Sequence, residues 1–68
     1  MTQALRKHSP GYYRITLSDD RFGQIHRVGR EWRAEVREID GTLVRFAGYW
    51  RSLKDATEEL TSLNPLDL

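Results

Sequence analysis

GREWRAEVREIDGTLVRFAGYWRSLKDATEEL, residues 29–60, changes period at Ser52. Before Ser52, apolar and charged residues alternate by twos, the repeat of a strand with one buried face. After it, apolar residues return every three or four, the repeat of an amphipathic helix. Charge changes at the same place: arginines dominate before the break and carboxylates after it. An arginine-bearing sheet backed by one acidic helix is the arrangement these two patterns predict.

The helix is the simpler half. Ser52 is a good N-cap, and Asp55 three residues later makes a shortened capping box. Leu53, Ala56, Leu60 and Leu63 recur at helical spacing and form one apolar stripe. Asn64-Pro65 is the expected stop. Nothing else in the chain can cover the apolar face of the sheet, so Leu60 is expected to pack under Trp32 and Val36.

Upstream, EWRAEVREI is the clearest strand, with Trp32, Ala34 and Val36 on one face and Arg33, Glu35 and Arg37 on the other. Asp40-Gly41 is a hairpin signal, and TLVRFAGYW returns as the last strand. A two-residue turn would pair Ile39 with Thr42 and set Arg45 among Trp32, Ala34 and Val36. A three-residue loop with Gly41 left-handed and a bulge pairs Glu38 with Thr42, Val36 with Val44, and Ala34 with Phe46. Burying an unpaired arginine costs several kcal/mol, which favours the bulged turn and puts Arg33, Arg37 and Arg45 together on the open face. FGQIHRV and YYRITLS read as two earlier strands, with SDDRFG as turn chemistry and Gly29-Arg30 as a tight connection.

These elements make a single α+β domain: a three- or four-stranded antiparallel meander with one C-terminal helix across one face. Residues 1–11 are expected to be a flexible arm ending at Pro10-Gly11, residues 12–64 the domain, and residues 65–68 a tail. A chain of 68 residues buries only a thin core.

Net charge is +1, but residues 1–51 carry ten Lys/Arg and six Asp/Glu, giving +4, while residues 52–68 carry −3. Nine of the eleven basic residues are arginine, which suits bidentate and stacking contacts; GC-rich codon usage produces the same bias. Arg27, Arg30, Arg33, Arg37 and Arg45 are candidate contacts to phosphates or base edges, since a major groove admits β-strands as well as a helix. Glu31 and Glu35 lie among them, and each carboxylate cancels some phosphate attraction.

Enzymatic chemistry is not expected. The chain has no cysteine, no Ser-His-Asp set and no Gly-rich phosphate loop. Asp19-Asp20 reads as a solvated turn, and His26 as a sheet-edge histidine. His8 and His26 lack metal-ligand spacing, and no cofactor is expected. No apolar run approaches the roughly 20 residues of a membrane span, and the N-terminus has no signal-peptide core, so the expected compartment is the cytoplasm. Trp32, Tyr49 and Trp50 read as core residues, while Tyr12 and Tyr13 suit either a core or a surface role.

Residues 22–60 resemble the three-strand-plus-helix DNA-binding module of the AP2 type and of tyrosine-recombinase N-terminal domains. The features that carry the resemblance are Phe22-Gly23, Trp32 with Ala34-Glu35-Val36, Asp40-Gly41, Gly48-Tyr49-Trp50, Ser52 and Ala56. It implies a sheet laid in the major groove of double-stranded DNA, with contacts from His26, Arg27, Arg33, Arg37 and Arg45. It also implies an exposed Phe46 and a core Ala47, the reverse of the register favoured by the bulged turn. A module of this size resembles small regulators carried by phages and mobile elements. It resembles equally their small inhibitors of host proteins, so a protein partner, or a homodimer joined at a sheet edge, is the alternative to DNA.

Overall fold

A computed structural model describes residues 5–63. Five strands run in chain order across one antiparallel sheet: β1 Leu5–Ser9, β2 Tyr12–Thr16, β3 Arg21–Val28, β4 Glu31–Glu38 and β5 Leu43–Trp50, followed by α1 Leu53–Thr61. The α+β meander with one helix is therefore as expected, with five strands in place of three or four. The added strand is β1, inside the segment expected to be an arm. LRKHS contains a single apolar residue, so alternation does not register there. Pro10-Gly11 is a hairpin turn instead of a stop, and the Gly11 carbonyl accepts the Arg27 amide at 2.8 Å. The expected tail, residues 65–68, lies outside the described residues.

The helix forms as its sequence dictates. The Ser52 hydroxyl accepts the Asp55 amide at 3.1 Å, and Ser62 closes the last turn. The expected stop at Asn64-Pro65 lies beyond the described residues. The helix packs on β3, β4 and β5. Ile15, Ile25, Ala34, Val36, Ala47, Ala56 and Leu60 form the core, with Trp32, Trp50 and Leu53 packed at its margin.

The β4–β5 hairpin combines features of both registers. Its turn is the three-residue loop: Gly41 has φ +96°, Gly41 N–H donates to the Glu38 carbonyl, and Glu38 N–H donates to the Thr42 carbonyl, both at 2.8 Å. The pairing then shifts. Arg37 faces Leu43, but Val36 faces Arg45 and Glu35 faces Phe46. Val44 is thus an extra residue, packed against the core beside the position Arg45 takes. A second irregularity between Arg33 and Glu35 is met by Gly48, at φ +97°. Each bulge advances β5 by one residue and reverses its alternation downstream. Phe46 is consequently exposed and Ala47 buried, which overturns the expected pairs Val36–Val44 and Ala34–Phe46.

At Gly23 the helix side chain Leu60 comes down close onto the sheet backbone. A Cβ there would lie 2.7 Å from Leu60 Cδ1 and 2.8 Å from Ile15 Cγ2. Gly23→Ala is therefore expected to destabilise the fold by about 1–3 kcal/mol through overpacking. Urea denaturation is the check. A variant at least as stable as the parent would show that the helix stands further from the sheet.

Candidate nucleic-acid interface

The face of the sheet turned away from α1 is built from three cross-strand rows. One row is Tyr12, His26, Arg33 and Tyr49; the next is Arg6, Arg14, Gln24, Glu35 and Phe46; the third is Thr16, Phe22, Arg37 and Leu43. Arginines and aromatics therefore interleave over all five strands. The acidic residues of α1, including Glu58 and Glu59, lie on the other side of the sheet.

One carboxylate organises the middle of this face. Glu35 is 1 % exposed, and a buried carboxylate must be paired and hydrogen-bonded. Arg33 Nε donates to Glu35 Oε2 at 3.1 Å, Arg37 Nη2 donates to Oε1 at 3.3 Å, and Gln24 Nε2 donates to Oε1 at 3.1 Å. Gln24 Oε1 in turn accepts the Tyr12 hydroxyl at 2.8 Å, and the Tyr12 oxygen accepts Arg14 Nε at 2.8 Å. Arg33 Nη1 reaches the Tyr49 hydroxyl at 3.3 Å. A single network thus ties β2, β3, β4 and β5 together.

Two guanidinium–aromatic groups stand on either side of it. Arg14 lies 4.5 Å from the Phe22 ring centre and 5.4 Å from that of Tyr12, on whose ring His8 stacks. Arg33 lies 5.0 Å from Phe46 and 5.8 Å from Tyr49, and those two rings meet edge to face. Phe46 and Tyr49 are each 46 % exposed. Such exposure leaves room for a base or an apolar group to stack on them.

The structure divides the six residues expected to contact DNA. His26, Arg33 and Arg37 share the open face, with His26 directly opposite Arg33. Arg27 does not join them. Adjacent strand residues point to opposite faces, so Arg27 turns to the helix side, where its guanidinium lies 5.4 Å from the Trp32 ring and Nε donates to the Gly29 carbonyl. Arg45 is placed opposite Val36 by the Val44 bulge, away from Arg33 and Arg37. Arg30 sits in the β3–β4 turn.

Sequence reasoning misses Arg6, His8, Arg14 and Phe22. The first two lie in the segment that reads as an arm. Arg14 lies in a strand that alternation reveals but that has no place in the three-strand module. Tyr49, expected in the core, stands on the open surface because Gly48 resets the alternation.

Glu35 also limits what Arg33 and Arg37 offer a phosphate, since it cancels one of their two charges. Glu35→Gln is therefore expected to move two properties in opposite directions. Stability falls by about 1–3 kcal/mol as charge-assisted hydrogen bonds from half-exposed arginines disappear. Affinity for a polyanion rises, and its salt dependence steepens by up to about 0.9 per guanidinium released. Thermal melts and heparin or DNA titrations on the same sample check this; weaker polyanion binding by the folded variant would contradict it.

Among the described residues there is no group of three or more His, Cys, Asp or Glu side chains that could hold a metal ion. No helix among them is long and apolar enough to cross a membrane. Comparison of the chain with protein-family models, curated proteins and solved structures finds no match.

Proposed function

We propose that this protein is a non-enzymatic DNA-binding domain that presents its open sheet face to duplex DNA. The observation that carries this reading is the interleaving of guanidiniums with exposed aromatics on that face, with the acidic helix on the opposite side. Guanidiniums bind phosphate and guanine edges bidentately, and aromatics contact bases or thymine methyls.

Dimensions favour a particular pose. Three strands, β3 to β5, span roughly 10 Å at the usual strand spacing and match a major groove of about 12 Å. All five span roughly 19 Å and do not fit. In the pose this suggests, β4 and β5 bring Arg33, Phe46 and Tyr49 into the groove. The β1–β2 hairpin then overhangs the adjoining phosphates with Arg6 and Arg14.

A second reading has its own observation. Leu43, Phe46 and Tyr49 are exposed apolar residues along edge strand β5, and an open edge beside such a surface suits a protein partner. A titration against duplex DNA at low salt separates the two readings, because only the first predicts a salt-sensitive complex.

A further inference from the structure

At the end of the sheet bounded by β1, β2 and the β2–β3 turn, residues from both faces of the sheet line a cavity of about 370 Å³. Sites for small molecules run from about 300 to 1,000 Å³. Its lining includes Arg6, Arg14 and Arg21, with His8, Phe22 and Asp19. These arginines differ from Arg33 and Arg37 in one respect. Among the described residues, none of the three forms an ion pair, whereas Arg33 and Arg37 are both committed to Glu35.

Three arginines lining one concavity make it locally positive, and a bound anion would neutralise that charge. With the Asp19 carboxylate counted, the cavity carries a formal +2. A phosphate monoester brings about −1.5 to −2 at neutral pH and balances that charge; a phosphodiester inside a nucleic-acid strand brings half as much. The cavity also has a flat wall. Phe22 carries the Arg14 guanidinium at 4.5 Å from its ring centre, a surface on which a planar base stacks.

We propose that this cavity binds a phosphate monoester carried on a nucleoside. The phosphoryl oxygens take hydrogen bonds from Arg6, Arg14 and Arg21, and the base stacks against the Phe22–Arg14 pair. Free nucleoside monophosphates and the 5′-phosphorylated ends of strands share this chemistry. A mononucleotide needs only the cavity, so its binding is separable from that of an internal stretch of duplex.

The test is a titration followed by ¹H–¹⁵N correlation NMR, with adenosine monophosphate, adenosine and inorganic phosphate as probes. The monophosphate is expected to shift the amides of Arg6, Arg14, Ser18 and Phe22 with Kd below about 1 mM, and adenosine to bind at least about tenfold more weakly. Arg6→Ala and Arg21→Ala are each expected to weaken the monophosphate at least about tenfold, while Arg6→Lys retains more binding than Arg6→Ala. The spectra report directly that each variant is folded. A short single strand bearing a 5′-phosphate that binds while its 5′-hydroxyl twin does not identifies strand ends as the source; equal behaviour of the two, with the monophosphate still bound, identifies the free nucleotide. No shift at about 10 mM monophosphate, a binding free energy weaker than about −3 kcal/mol, would overturn the proposal. Adenosine binding as well as its phosphate would do the same, as would shifts centred on Arg33 and Tyr49. Duplex DNA with 5′-hydroxyl ends, titrated separately, reports on the groove-binding face whichever way the nucleotide experiment falls.

Discussion

Truncating Leu60 to alanine is expected to lower the unfolding free energy by about 2–5 kcal/mol, a large share of what a chain of this size has. Leu60 is 1 % exposed and reaches down onto Gly23, where its Cδ1 fills the space a side chain would take. A cavity at this point cannot collapse readily, because its floor is the backbone of β3, held by ladders to β2 and β4 on both sides. Stability at about 0.05–0.15 kcal/mol per residue amounts to roughly 3–10 kcal/mol here, so the loss removes a substantial part of it and unfolds the variant outright only if the parent lies at the low end. Urea denaturation measures it: the midpoint drops while the slope holds. The same geometry makes Gly23→Ala and Leu60→Ala coupled. The methyl added at position 23 enters the space vacated at position 60, so the double variant is expected to be more stable than the sum of the two changes implies. An unmoved melt for Leu60→Ala would mean that α1 is not docked through this residue.

How far the sequence reveals this fold differs from element to element, for physical reasons. Ser52, Asp55 and the stripe Ala56, Leu60 and Leu63 announce the helix, because capping and period are local properties. EWRAEVRE announces β4, because its alternation is complete. β1 is not legible in LRKHS. An edge strand with one shallow apolar residue is held by pairing to β2, which no local pattern records. In β5 the turn is legible from Asp40-Gly41, and its three-residue loop is present. The two bulges beyond it are not legible. Val44 and Gly48 each shift the alternation, and the choice between bulged and regular pairing depends on what α1 can cover.

The same division runs through the candidate site. Arg33 and Arg37 are legible because β4 is regular, and Arg45 is misplaced because β5 is not. In the sequence Glu35 reads only as an opposing charge, whereas its burial makes it the acceptor that fixes both arginines. The consequence is practical. Arg33 and Arg37 cannot both be removed as a neutral test of binding, since that would strand a buried carboxylate at about 3–5 kcal/mol. Arg6 and Arg14 can, because neither compensates a buried charge.

Replacing Arg6 and Arg14 together with alanine is expected to weaken duplex binding about 100-fold or more at low salt. Each charge-assisted hydrogen bond to phosphate contributes about 1.5–3 kcal/mol, and each step of about 1.4 kcal/mol is tenfold in affinity. Tyr49→Ala should weaken binding further, since its ring supports Arg33 on the part of the face that the proposed pose puts in the groove. Arg27→Ala and Arg45→Ala are the matching controls. Both positions lie on the helix side by register, so neither change should reduce affinity by more than a few-fold if the open face is the one that meets DNA.

The most direct measurement is the duplex affinity of the unmodified protein across a salt series, repeated for the Arg6→Ala/Arg14→Ala variant. Binding through the open face predicts a complex at about 50 mM salt that weakens steeply as salt rises. It also predicts a slope of log K against log salt that is shallower by about 1.8 in the variant, at about 0.9 for each phosphate no longer neutralised. No complex at tens of micromolar protein in low salt, where even non-specific DNA binders register, would contradict it, as would a slope that the two substitutions leave unchanged.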